Sequence, residues 1–394
     1  MNRGLESRDP GPGTRNGVVR NTSAMEASRG CVIPESRVPG PSSSDDECRA
    51  ALRPRPLWPA RCTPLRRVRG QAYELARCAV CGAADAIELA DADEVRAEVE
   101  ALWGFHGARL RPETPPALLA DRVAFSQRPP LRLVRCRRCG LVYRNPRERA
   151  FEVEEVYEAE TVDDAALESL HENQRRAYRT QARRLLRLVG RRGAGLEVGS
   201  YVGGFLAAAR EAGWRFEGLD INERTNRFAR AKGFAVTAGT LDTFEPGRRF
   251  DAVAIWNVFD QLPDPRAAAA RAHALLEPGG ALTVRVPNGA FYARLRPLLD
   301  GPLGAAARLL LAHNNLLAFP YRFGFTVESL RRLLRATGFE PARLYGDALV
   351  PTADRWTRRW AALEERAVKG VLRAAGRSAP AMAPWIEVYA RRRE

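Results

Sequence analysis

Between residues 165 and 189, Tyr178, Leu185, Leu186 and Val189 recur at core-facing spacings with arginines elsewhere, predicting a helix over 165–189. A shorter helix is expected over 151–157. Gly190 and Gly193 stop the long helix, and the pattern then changes to short apolar runs. Residues 196–198 read as a buried strand, followed by a glycine-bearing turn and a helix over 205–212. The rhythm then repeats. Strands are expected over 216–220, 234–238, 250–256 and 281–286, separated by helices over 224–232 and 266–276. Glu277-Pro-Gly-Gly280 marks a turn before the last of these strands. Further on, helices over 327–337 and 357–374 and strands over 342–345 and 385–391 complete the reading. Strands alternating with helices at this spacing specify a parallel sheet covered on both faces.

In such a sheet, ligands bind beyond the carboxyl ends of the strands, where a strand hands over to its helix. The stretch Gly195 to Phe205 has that form. Gly199 and Gly203 lack Cβ atoms, so the backbone can turn tightly and a ligand can approach it. The next strand ends in Asp220, at a distance where a carboxylate can accept hydrogen bonds from ribose hydroxyls.

Ahead of this region stand two knuckles, Cys78-Ala-Val-Cys81-Gly82 and Cys136-Arg-Arg-Cys139-Gly140. Each Cys-x-x-Cys turn sets two thiolates a tetrahedral edge apart, and four sulfurs make a closed zinc site with no position left for water. A structural zinc held by Cys78, Cys81, Cys136 and Cys139 is therefore expected. About 54 residues separate the knuckles. They include an expected helix over 91–105 with Val95, Val99, Leu102 and Trp103 on one side, then Pro112, Pro115 and Pro116, and a strand over 131–134 after Pro129-Pro130. His106 in this insertion is read as a packing or surface histidine.

The chain has 394 residues and a net charge of +16, carried by arginine with lysine almost absent. Such an excess can mean nucleic-acid binding, but the arginines are spread along the whole length and interrupted by acidic helices. Nucleic acid is not expected as the main partner. Residues 1–72, rich in Pro, Gly, Ser and Arg, show no sustained period and are expected to be a disordered basic extension. Cys31, Cys48 and Cys62 lie there, bringing the total to seven. An odd count and an opening without an apolar signal-type core argue against a disulfide framework and for a cytoplasmic protein. No run of about 20 apolar residues occurs, so a spanning helix is not expected, and no membrane is expected among the partners.

Taken in order, Leu-Glu-Val-Gly-Ser-Tyr-Val-Gly-Gly-Phe, Gly-Leu-Asp-Ile, Phe-Asp-Ala-Val, Leu-Pro-Asp-Pro, Leu-Glu-Pro-Gly-Gly-Ala-Leu and Val-Pro-Asn resemble the class I S-adenosylmethionine-dependent methyltransferases. Cys-Gly-Leu-Val-Tyr-Arg-Asn-Pro-Arg resembles the zinc-binding module that precedes many such domains. The resemblance implies an α/β fold, a Rossmann-like, doubly wound sheet of seven strands whose last strand inserts antiparallel, with a small N-terminal zinc-ribbon-like module. The implied layout is an extension over 1–72, the module with its helical insertion over 73–150, and the methyltransferase domain over 151–394.

Carried over position by position, the resemblance implies that Glu197, Gly199, Ser200, Tyr201 and Gly203 hold the amino-acid end of S-adenosyl-L-methionine. Asp220 would bind its ribose, Ile221 its adenine face, and Leu241 and Asp242 the adenine edge. Trp256 and Asn257 would flank the methionine portion. Two departures stand out. Tyr201 replaces the turn's usual middle glycine, and Asp260-Gln261 stands where relatives often carry Glu-His, so a histidine base is excluded there.

The implied reaction is methyl transfer to a small-molecule or saccharide-linked acceptor, with Asp260 as the leading candidate for a proton-accepting base. The alternative reading of Asp260 is a turn or helix-capping aspartate. Tyr292, His313, Tyr321 and Arg322 are weaker candidates near the acceptor. Two other readings stay open: a nicotinamide-dependent oxidoreductase, whose ribose Asp220 would also suit, and a non-enzymatic zinc ribbon that binds nucleic acid beside a degenerate cofactor fold. The oligomeric state is not legible.

Overall fold

The computed structural model describes residues 73–114, 132–148, 164–319 and 321–394. The extension over 1–72, the helix expected over 151–157 and the proline-rich stretch from Pro115 to Leu131 lie outside these residues.

The larger sheet is built from β6 (Ala194–Val198), β7 (Arg215–Asp220), β8 (Val236–Ala238), β9 (Phe250–Trp256), β10 (Leu276–Pro287), β12 (Phe339–Asp347) and β13 (Trp385–Arg392). Its order is β12-β13-β10-β9-β6-β7-β8. The β6, β7, β8, β9 and β10 pairings are parallel, whereas β13 pairs antiparallel with both β10 and β12. The strand order reverses at β6, and crevices for ligands form at such points. β10 begins five residues earlier than the sequence reading, because Leu276 already pairs with Phe250 before a register shift across the Pro-Gly-Gly turn.

Alternation along the strands decides which face each residue covers. Leu282, Val284 and Val286 of β10 join Val253, Ile255, Ile386 and Val388 in one core cluster. Ala252, Ala254, Trp256, Ala281 and Tyr389 form a second on the opposite face, under α2 (Asp164–Val189) and α3 (Gly204–Glu211). The alanines leave room for rings: Tyr178 of α2, Phe205 of α3 and Trp256 stack within 5.2–5.7 Å of one another. Helices α4 (Glu223–Ala231) and α5 (Pro265–Leu275) follow β7 and β9, and each starts on a side-chain cap, Asn222 and Asp264 respectively.

The N-terminal residues do not form a closed unit. Strand β1 (Tyr73–Glu74) pairs with β5 (Arg147–Glu148). A second, four-stranded sheet runs β11-β4-β3-β2, from β2 (Ala86–Ala90), β3 (Leu133–Cys136), β4 (Val142–Arg144) and β11 (Phe323–Gly324). Its last strand comes from near residue 323, far downstream of the other three. Phe323, Phe325, Leu330 and Leu333 share one core cluster with Cys78, Val134, Leu141 and Tyr143. α8 (Val327–Ala336) opens on a Thr326 capping box beside the second knuckle.

The insertion between the knuckles contains α1 (Ala92–Arg109), capped by Asp91. It meets α6 (Gly289–Leu295) and α9 (Arg359–Ser378) through polar contacts and shares an apolar cluster with α7 (Gly304–Ala312). Buried Glu98 accepts from the Tyr292 hydroxyl, Arg296 and the Ala318 amide, and Arg109 bonds Glu364 at 2.8 Å. His106 is buried edge-on against Phe105, in keeping with a packing role. Among the described residues no helix is long and apolar enough to cross a membrane.

Candidate active site and four-cysteine cluster

Strand β6 delivers the chain into a turn in which three residues take positive φ: Gly199 at 73°, Tyr201 at 45° and Gly203 at 71°. Tyr201 thus adopts the left-handed backbone expected of the glycine it replaces, at a steric cost that glycine would not carry. Backbone bonds fix the turn. The Gly199 amide donates to Leu219 O at 2.8 Å and the Gly203 amide to Ser200 O at 2.8 Å. A Cβ on Gly199 would stand 2.3 Å from Val258 Cγ2, so the turn lies directly against the loop after β9.

Asp220 ends β7 and reaches back to this turn. Its Oδ2 accepts from the Tyr201 amide at 2.8 Å and its Oδ1 from the Asn222 amide at 2.9 Å. Two amides leave part of each oxygen's accepting capacity unused. The carboxylate is nonetheless buried, and burial raises its pKa against the opposing pull of those amides. Glu197, also buried, is pushed well up by desolvation and then by Asp220; its Oε2 has no partner. Ser200 Oγ and Trp256 Nε1 are buried and unpartnered too. The structure therefore brings Glu197, Gly199, Ser200, Tyr201, Gly203 and Asp220 together. Ile221 is half-buried beside them, Leu241 is in the core near Leu219, and Asp242 is exposed.

Asp260, in the loop after β9, is fully buried, and neither carboxylate oxygen has a partner. Desolvation pushes its pKa up to about 8. Its backbone carbonyl accepts from the Phe323 amide at 3.1 Å, which ties the loop to β11. No capping bond to its side chain occurs; the adjacent helix is capped by Asp264 instead. Asn257 takes φ 58° and is held by Arg285, whose Nε donates to Asn257 Oδ1 at 2.7 Å.

Several residues around the site carried no local signal. His171 of α2 lies against the turn, its Nδ1–H donating to Val202 O at 2.7 Å. Burial lowers its pKa, which favours the neutral ring. Tyr178 reaches Arg285 Nη2 at 3.1 Å, and Arg285 Nη1 reaches Asp347 Oδ2 at 3.1 Å. Gln181 and Arg184 bond Glu387 on β13. These groups form a polar row under α2 at the carboxyl ends of β9, β10 and β12 and the amino end of β13. The weaker candidates after β10 are committed elsewhere: Tyr292 to Glu98, His313 to Glu364 at 2.8 Å, and Tyr321 to Asn315 O; Arg322 is buried.

The knuckles converge. Cys78 Sγ lies 3.4 Å from Cys139 Sγ and Cys81 Sγ 3.5 Å from Cys136 Sγ, and the four sulfurs sit within 4.8 Å of one another. The two turns are alike: Gly82 N donates to Cys78 O at 2.9 Å and Gly140 N to Cys136 O at 3.0 Å, with φ 70° and 74° at the two glycines. Arg266 donates to Val80 O at 2.8 Å, which joins the first knuckle to the start of α5.

Residues 170–344, from α2 into β12, match a family model described as a methyltransferase domain. No curated protein matches the sequence. Solved structures similar to this chain include a SAM-dependent methyltransferase, possible histamine N-methyltransferase, from Thermotoga maritima, at 18% identity over 56% of this chain and 92% of that one, TM-score 0.36. The CcbJ methyltransferase from Streptomyces caelestis is similar at 17% identity over 55% and 89%, TM-score 0.38. A putative sarcosine dimethylglycine methyltransferase from Galdieria sulphuraria is similar at 16% identity over 55% and 86%, TM-score 0.37. By this match the chain carries a methyltransferase domain over residues 170–344.

Proposed function

We propose that the chain methylates a small-molecule or saccharide-linked acceptor in the cytoplasm, with S-adenosylmethionine lying across the carboxyl ends of β6 and β7. The observation that carries the reading is the turn from Gly199 to Gly203, clasped to Asp220 through the Tyr201 amide. The residues fit the donor. Glu197, Asp220 and Asp260 are buried acids, and Glu197 Oε2 and both Asp260 oxygens are unpartnered. Such groups suit a ligand bearing positive charge and hydroxyls.

When bound, the sulfonium supplies an electrophilic methyl group. Glu197 with the turn at Gly199, Ser200, Tyr201 and Gly203 would hold its amino-acid end. Asp220 would accept from the ribose hydroxyls with its remaining lone pairs. Ile221, Leu241 and Asp242 would border the adenine, and Trp256 and Asn257 the methionine chain. The protein's main task is then alignment of the acceptor atom and exclusion of water. Asp260 would take the acceptor's proton at a carboxylate oxygen, a role that requires it ionised.

The four-cysteine cluster supports a structural zinc. A zinc ion with four sulfurs at about 2.3 Å needs sulfurs roughly 3.8 Å apart, close to the pairs at 3.4 and 3.5 Å. All four positions would be filled by protein, leaving no role in the chemistry. The extents of extension, module and catalytic domain belong to the same proposal, at 1–72, 73–150 and 151–394.

Calorimetric titration with S-adenosylhomocysteine and with NAD tests the reading. Binding of the first and not the second is expected; affinity for NAD alone would overturn it in favour of an oxidoreductase. Binding of neither by folded, metal-loaded protein would also overturn it.

A further inference from the structure

Helix α9 carries apolar side chains on the side facing water as well as on the side facing the core. Its inner side holds an ion pair: Lys369, fully buried, donates to Glu365 and to Val350 O at 3.1 Å. Glu365 also accepts from the Thr352 and Ala353 amides. Its outer side is apolar. Trp360, Leu363 and Val371 are 49, 63 and 69% exposed. With Ala367, Gly370 and Ala374, also exposed, they fall within an arc of about 100° on the helix surface. The exposed charges of α9 are all positive, Arg359, Arg366 and Arg377, and lie together along one margin of that arc. Its two acids point inward, Glu365 to Lys369 and Glu364 to Arg109 and His313.

We propose that this outer face of α9 docks on a membrane surface rich in anionic lipid, the helix lying in the plane of the headgroups. An apolar stripe edged by arginine is the arrangement that buries side chains at the acyl boundary while keeping cations among phosphates. No spanning helix is needed. A second copy of the chain fits less well. Twenty residues of helix offer a footprint of roughly 30 by 10 Å, well below the roughly 800 Å² per partner of a stable interface. Antiparallel self-pairing would also bring the arginine margins together. Docking at this face is independent of the methyl-transfer reading.

The test is flotation of the full chain with vesicles of phosphatidylcholine containing phosphatidylglycerol, against pure phosphatidylcholine. Binding to the anionic vesicles is expected, weakened about tenfold by Leu363→Glu and again by Val371→Glu. Arg359→Gln with Arg366→Gln should weaken it several-fold and flatten its salt dependence. These are surface positions, and an unchanged thermal transition checks that each variant folds. Absence of vesicle binding would overturn the proposal. So would binding that the helix substitutions leave intact, since the basic extension would then carry it. Sedimentation equilibrium showing a dimer that Leu363→Glu dissolves would assign the face to a second copy instead.

Discussion

Arg285 and Asp347 meet at 3.1 Å across the carboxyl edge of the sheet, both buried and 62 residues apart in the chain. Burial works against both charges, yet Arg285 holds the Asp347 carboxyl below the usual range, and Tyr178, Asp347 and Glu387 keep Arg285 protonated. Removing Arg285 takes away the buried cation of Asp347 and leaves it to the half-buried Arg373, at 3.1 Å. Arg285→Ala is expected to cost about 3 kcal/mol in denaturant unfolding. Asp347→Asn should remove a contribution present above the ordinary carboxylate range and lost as pH falls below it, so its cost should shrink toward acid pH.

Asp220 should matter more to the donor than to the fold. Asp220→Asn keeps the shape but removes the charge that receives the Tyr201 and Asn222 amides. S-adenosylhomocysteine affinity is expected to fall about 10- to 100-fold by calorimetry. A change of less than threefold would remove Asp220 from the proposed site.

Asp260 predicts a pH signature. Its folded pKa, pushed up to about 8, lies above any unfolded carboxylate value, so its folded form binds the proton more tightly. The stability linked to that proton is fully present below the carboxylate range near pH 4. It declines by up to about 1.4 kcal/mol per pH unit as pH rises toward 8. Asp260→Asn should flatten that share of the pH–stability curve. If Asp260 also receives the acceptor's proton, kcat should climb through about pH 8 in the parent and collapse in the variant. Turnover that survives the substitution would leave only the stability role.

Metal analysis should find one zinc per chain, and Cys139→Ser should lower it. Because Thr326 Oγ1 donates to Cys139 O and Arg266 to Val80 O, loss of the ion should loosen α8 and the start of α5 as well as the knuckles. Chelation is expected to lower the melting temperature by at least about 5 °C. Zinc-free protein with an unchanged transition would refute a structural ion.

Gly199→Ala tests the turn. The new methyl would meet Val258 Cγ2 at 2.3 Å in a backbone at φ 73°. Two costs arise, a clash and a left-handed conformation of roughly 1–2 kcal/mol. Val258→Ala in the same chain should relieve the first and not the second, so donor affinity should recover in part only.

Local signals account for much of what could be read from the sequence. The period of each strand, the glycines after β6 and the paired cysteines are short-range features, and helix starts such as Asp264 announce themselves by their caps. What stayed hidden depends on partners far away in the chain. Arg285 reads as one arginine among many until β12 and α2 fold over it. His171 and Tyr178 read as helix positions, not as supports for the turn and for Asn257. Strand β11 has two residues, too few for any periodicity, and only its pairing with Tyr143 and Val142 defines it. Similarly, α9 was legible as a helix, but not as one that turns its ion pair inward.

That two-residue strand governs how the molecule can be divided. A chain begun at residue 151 would strip Phe323 and Phe325 of the Tyr143 and Leu141 side they rest against, and would unseat the Phe323 amide that holds the Asp260 loop. Transplanting the cysteine segment onto a foreign catalytic body would leave β4 with an open edge. Neither half is a detachable part, and a gene fragment cut there is expected to yield insoluble product on both sides of the scissors.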